Sequence, residues 1–148
     1  GSAQKTCRCS PDQVARYQGK ISGPLLDRLD LHLEVHSLPM VDLLQLPAGE
    51  SSADIATRVA AAQVRALARQ GQLNAQLGPQ ALDQHCQLDT VAQSFLMQTA
   101  EHLGWSARAT HRVLKIARSI ADLAGASAIQ TAHVAEAVQY RRALRLMQ

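Results

Sequence analysis

From Ser51 to the C-terminus the chain is a succession of apolar segments with helical spacing, each opened by a capping residue and most closed by glycine. Ser51-Ser52-Ala53-Asp54 starts a helix that runs to Gln70, with Ile55, Val59, Ala62 and Ala66 on its inward face and Gly71 as its stop. Gly78-Pro79 opens a short helix over residues 80–85. Asp89 caps another, whose inward face is Ala92, Phe95, Leu96, Thr99 and Leu103, closed by Gly104. Ser106 begins a helix that ends at Gly125, and Thr131 caps a last one reaching Arg141 or beyond. Loops this short make consecutive helices antiparallel neighbours, so the spacing predicts a mainly α fold, a helical bundle.

Composition agrees with that reading. Of the 148 residues 47% are hydrophobic but only 3% aromatic, so core volume must come from Leu, Ile, Val and Ala, which suits closely packed helices. The net charge of +3 is compatible with anionic partners without demanding them. No run of about 18 apolar residues exists, so no transmembrane helix and no membrane partner are expected. Cys7, Cys9 and Cys86 are odd in number and do not form a secreted disulfide framework, which points to a reducing cytoplasm. The opening Gly-Ser has the look of a tag remnant, and the chain is expected to be a piece of a longer protein.

The N-terminal third is different. Residues 1–10 lack periodicity and read as a loose arm; Ser10-Pro11-Asp12-Gln13 is a capping box for a short helix to Gln18, stopped by Gly19, and Ser22-Gly23-Pro24 starts another turn. In "LDLHLEVHSL", Leu29, Leu31, Leu33 and Val35 alternate with Asp30, His32, Glu34 and His36, the pattern of a half-buried strand over 29–36. A lone strand cannot satisfy its own backbone, so it is expected to be rearranged, paired with another chain or mobile. Residues 37–50 form a linker whose Met40, Val41, Leu43, Leu44 and Leu46 are expected to lie against a core.

"SARATHRVLKIARSIADLAG" (106–125) raises the functional question. Val113, Ile116, Ala117, Ile120 and Ala124 set its buried face, while Arg108, Arg112 and Lys115, spaced by four and three, share another. Arg108 sits in the first turn, where the helix dipole disfavours a cation by a few tenths of a kcal/mol and unpaired N–H groups favour an anion. On spacing alone a solvated stripe remains the default and a phosphate-facing stripe the alternative. Arg28, between Asp27 and Asp30, reads by itself as half of a local ion pair.

Three stretches, "CRCSPDQVARYQGKISGPLLDRLDLHLEV" (7–35), "RQGQLNAQL" (69–77) and "WSARATHRVLKIARSIADLAGASAIQTAHVAEAVQYR" (105–141), resemble the magnesium-chelatase-like AAA+ ATPases of the ComM/YifB family. The resemblance implies that residues 11–50 are the end of an α/β nucleotide-binding core with its last strand, and that 51–148 are the helical lid. It implies that Arg108 is the second sensor, a lid arginine reaching the γ-phosphate of ATP, with Arg112 and Lys115 as supporting charge or contacts to a neighbouring subunit. Arg28 matches the arginine finger, which acts in trans on the adjacent protomer's ATP. ATP and Mg²⁺ are the implied cofactors of the whole protein, a hexameric ring its implied assembly and DNA its implied partner. Residues 1–148 contain no Gly-x-x-x-x-Gly-Lys-Ser/Thr loop, so this chain alone is expected neither to hydrolyse ATP nor to carry a bound cofactor.

The implied activity is ATP-driven branch migration of DNA in natural transformation. A magnesium chelatase motor for porphyrin metallation is the competing motor reading, and a non-catalytic helical interaction module the competing reading of another class. Cys7 and Cys9 could be half of a four-cysteine zinc site but cannot close one alone. Cys86 reads as a small buried residue, His32 and His36 as solvent-side, and His102, His111 and His133 as scattered; no metal site is expected. Arg141, Arg142 and Arg145 suit a helix C-terminus.

Overall fold

The computed structural model describes residues 8–20, 22–26, 28–33, 35, 38–45 and 47–142. Its elements in chain order are α1 (Pro11–Gln18), α2 (Gly23–Leu26), α3 (Met40–Gln45), α4 (Ser52–Gln70), a 3₁₀ turn (Asn74–Gln76), α5 (Pro79–His85), α6 (Thr90–His102), α7 (Ala107–Leu123) and α8 (Thr131–Arg142). Cys7, Asp27, His36, Leu46 and Arg145, and the side chains of Met40, Leu43 and Arg142, lie outside the described set.

The caps explain the boundaries. The hydroxyls of Ser10, Ser51 and Ser106 and the carboxylate of Asp89 accept the N–H of Gln13, Asp54, Ala109 and Ala92, satisfying donors that the first helical turn leaves over. At Ser10 the capping box closes, because Gln13 takes back the Ser10 N–H. Gly71 and Gly125 adopt φ of 71° and 73°, where a Cβ would be strained, and so end α4 and α7. The cap of α8 differs from expectation: Thr131 is its first residue, and the Nδ1 of His133 accepts the Gln130 N–H at 3.0 Å. His133 is buried, with its Nδ1 occupied by that bond.

α7 is the centre, with α8, α4, α5 and the 3₁₀ turn packed around it and α6 against α8. The core joins Leu77, Leu82, Cys86, Ala92, Leu96, Val113, Ala117, Ala121, Ile129, Val134, Ala137 and Val138. Alanine on α7 and α8 lets the backbones approach, as the shortage of aromatics required. The buried face of α7 is rotated from the expected one: Ala109, Val113, Ala117 and Ala121 are buried, Ile116 and Ile120 are half-buried and Ala124 is exposed. In α4 Ala66 is buried and Ala62 half-buried, but Ile55 and Val59, expected on the inward face, are exposed.

The segment 29–36 departs most from its pattern. Among the described residues it forms no strand and its burial does not alternate: Leu29, Asp30, Leu31, Leu33 and Val35 are exposed, and His32, expected on the solvent side, is buried. Without a sheet edge beside it, the backbone finds partners on the helices instead. His32 N–H donates to the Tyr140 carbonyl at 2.7 Å, and Arg141 donates to the Leu29 carbonyl at 3.1 Å. The linker is corrected too, since Leu38, Val41 and Leu44 are exposed instead of lying on the core.

Candidate functional site

Because α7 buries one face, the stripe of Arg108, Arg112 and Lys115 points away from the core. The three cations have different surroundings. Lys115 Nζ donates to the Ala75 carbonyl at 3.1 Å, tying α7 to the 3₁₀ turn. Arg112 Nη1 donates to the Arg28 carbonyl and pairs with the Asp30 carboxylate. Arg108 is exposed and makes no hydrogen bond or ion pair with the described residues. Of the stripe it is therefore the member none of whose donors is used by the described residues, and it stands in the first turn of a 17-residue helix.

Arg28 is also exposed, and its side chain has no hydrogen-bond or ion-pair partner among the described residues. Of the two carboxylates expected to pair with it, Asp30 is taken by Arg112 and Asp27 lies outside the described residues. The Arg28 carbonyl and the backbone that follows it are held by α7 and α8, while the Arg28 side chain is exposed. Arg112, Lys115, Asp30, Glu136 and Tyr140 share a cleft of about 510 Å³ over an apolar floor of Ile116, Ile120 and Leu123. The Tyr140 hydroxyl donates to Glu136 at 3.1 Å across its wall.

Beneath the stripe lies a network that the sequence pattern did not reveal. Arg118 and Asp122, one turn apart on α7, are each 2% exposed in their side chains and form an ion pair at 3.0 Å. Asp122 also accepts two hydrogen bonds from Arg69 of α4, at 2.6 and 3.0 Å, and one from Asn74 at 2.8 Å. Arg118 donates to the carbonyls of Ser127 and Ala126 at 3.0 and 2.7 Å, bracing the α7–α8 loop. Burial by itself would raise the Asp122 pKa; the hydrogen bonds from Arg69 and Asn74 and the charge of Arg118 outweigh it and hold the carboxyl below its ordinary value. The signal was present as an Arg and an Asp four apart on a helix, but that spacing also describes any surface pair.

Cys86 lies in the core, where burial, only partly opposed by the nearby Arg118 and Arg69 charges, pushes its thiol up to about 11. At pH 8 it should resist iodoacetamide until the domain opens, with a labelling rate that follows global unfolding across a denaturant series. Rapid labelling of the folded chain at Cys86 would contradict the packing. Cys9 is exposed. Among the described residues no three His, Cys, Asp or Glu side chains are placed to hold a metal ion, and no helix is long and apolar enough to cross a membrane.

The chain is 44% identical to YifB of Escherichia coli K12 and 41% identical to the competence protein ComM of Haemophilus influenzae, in each case over 142 residues. A YifB protein of Salmonella typhimurium is 45% identical over the same length. Each match takes in 95% of this chain and 28% of the relative, so the chain spans little more than a quarter of the curated proteins it matches. Residues 1–43 match the family described as magnesium chelatase, subunit ChlI. Residues 49–141, which hold α4 to α8 almost entirely, match the one described as magnesium chelatase, subunit ChlI C-terminal. With a helical bundle of this kind and a match over most of its length, the chain belongs to the magnesium chelatase ChlI C-terminal family.

Proposed function

We propose that this chain is the lid and arginine-finger segment of an ATP-driven AAA+ motor that acts on DNA, in a ring of identical subunits in the cytoplasm. The observation that carries the reading is the division of labour on α7. Arg112 and Lys115 are engaged within the chain, whereas Arg108, at the helix start, keeps its donors for an outside anion.

The donor set suits a phosphate. Guanidinium is permanently charged and offers a planar fork, and the helix N-terminus adds N–H donors of the same sign. Bound Mg²⁺–ATP supplies the γ-phosphoryl group and the metal that neutralises part of its charge. Arg108 holds the γ-phosphate of its own subunit's nucleotide. Arg28, presented outward, meets the charge that develops on the phosphate in the neighbouring subunit's site. The loop that cradles the phosphates and the groups that hold Mg²⁺ would lie in parts of such a protein that this chain does not span. Binding and release of the phosphate at Arg108 bias the lid's angle, and the ring turns that hinge motion into movement along DNA. The name of the Haemophilus relative, a competence protein, supports work on incoming DNA, and branch migration is the activity we assign.

ATPase measurements on the full-length protein test this. Arg108→Ala should collapse turnover, and branched DNA should stimulate the parent while a porphyrin should not. Stimulation by porphyrin alone would replace the DNA motor with a metal-chelatase motor. Normal turnover in Arg108→Ala would leave only a helical interaction module.

A further inference from the structure

Resting on that reading, we infer that Arg112 is a positioning residue that couples Arg28 to the phosphate-sensing helix. Arg112 is one turn after Arg108 on α7. Its Nη1 reaches the Arg28 carbonyl and the Asp30 carboxylate, two residues apart on the finger segment. The Arg112 side chain is 19% exposed and Asp30 60%, so the tie lies at the rim of the cleft where the segment crosses α7. Two further bonds hold the same segment on α8, from Arg141 to the Leu29 carbonyl and from His32 N–H to the Tyr140 carbonyl.

The consequence is mechanical. No regular element holds the described residues 28–33, so no ladder of backbone bonds sets where Arg28 points. The position of Arg28 is instead referred to α7 and α8 through these side-chain and carbonyl contacts. Any displacement of α7 when Arg108 gains or loses a phosphate moves Arg112, and with it the carbonyl of the residue that serves the next subunit. Arg112 touches no nucleotide in this scheme. Its effect is confined to the neighbour's turnover.

Steady-state ATPase of the full-length protein carrying Arg112→Ala, Arg112→Lys, Asp30→Ala or Arg28→Ala decides the matter. A misplacement of about 1 Å costs on the order of 10²-fold, so Arg112→Ala and Asp30→Ala should each lower kcat by about that factor. KM for ATP should stay within about twofold of the parent, because binding at the subunit's own site is untouched. Arg112→Lys, which keeps one donor and the charge, should recover part of the loss. Asp30→Ala removes the carboxylate half of the tie without altering α7, leaving the Arg112 bond to the Arg28 carbonyl, so it tests the coupling even should Arg112→Ala fail to fold. If Arg28→Ala stops turnover while Asp30→Ala and a folded Arg112→Ala retain kcat within about twofold, the coupling is wrong and the proposed function stands. A raised KM with unchanged kcat would also overturn it, by placing Arg112 on the nucleotide. If Arg28→Ala itself turns over normally, the motor reading fails and the coupling falls with it.

Discussion

Arg28→Ala in the full-length protein is expected to reduce ATP turnover by about 10³–10⁵, the range an arginine finger supplies. The fold should not notice, because the Arg28 side chain is exposed and the tie to α7 runs through its backbone carbonyl. Melting temperature and ATP affinity should therefore match the parent while turnover is lost. The assignment in trans has a separate signature. When Arg28→Ala subunits are mixed with subunits disabled for ATP binding but retaining Arg28, a ring has some interfaces that join an intact site to an intact finger. Activity should then reappear, although each variant alone is inactive. No recovery at any mixing ratio, or full turnover in the single variant, would sink the assignment.

Asp122→Ala should be the most damaging single change to the fold. It removes the acceptor of the hydrogen bonds from Arg69 and Asn74 and leaves Arg118 buried without its ion-pair partner. Breaking a buried pair from one side costs about 3–5 kcal/mol, a large part of the roughly 5–15 kcal/mol that holds a domain together. For a domain of this size that lowers the melting temperature by roughly 15 °C or more. A shift of only a degree or two would show that the network contributes little.

The same carboxyl gives the domain an acid limit. Its folded-state pKa is depressed, so the unfolded chain binds the proton more tightly. The stabilisation is complete above the unfolded value of about 3.9 and is lost as pH falls through the folded one. Stability measured by denaturant titration should be flat through neutrality in this respect and decline at low pH. Asp122→Ala should lack that part of the decline.

The helices other than α3, which falls in the stretch 37–50 read as a linker, were legible in the sequence because they are local events. A serine hydroxyl or an aspartate carboxylate meets an N–H three residues on, and a glycine accepts a left-handed turn, without reference to the rest of the chain. The cation stripe of α7 was legible for the same reason, since helical spacing alone puts Arg108, Arg112 and Lys115 on one side. What the stripe does with its charges was not. Only the packed molecule shows Lys115 on the Ala75 carbonyl and Arg112 on the segment around Arg28, 84 residues earlier in the chain.

The buried charges and the segment from Leu29 to Val35 show where periodicity stops. Arg118 and Asp122 have the spacing of a surface pair, but a helix surrounded by other elements has little surface left, a fact no single helix reveals. Leu29 to Val35 alternate as a strand should, yet a strand is defined by a partner edge. Where none is present among the described residues, Tyr140 and Arg141 take the backbone bonds and His32 goes inside. The sequence by itself determined which stretches coil and where they stop, since those energies act over three or four residues. Tertiary structure decided which charges are buried, which are engaged and which are left for a ligand, because those outcomes depend on desolvation and on contacts between residues far apart in the chain.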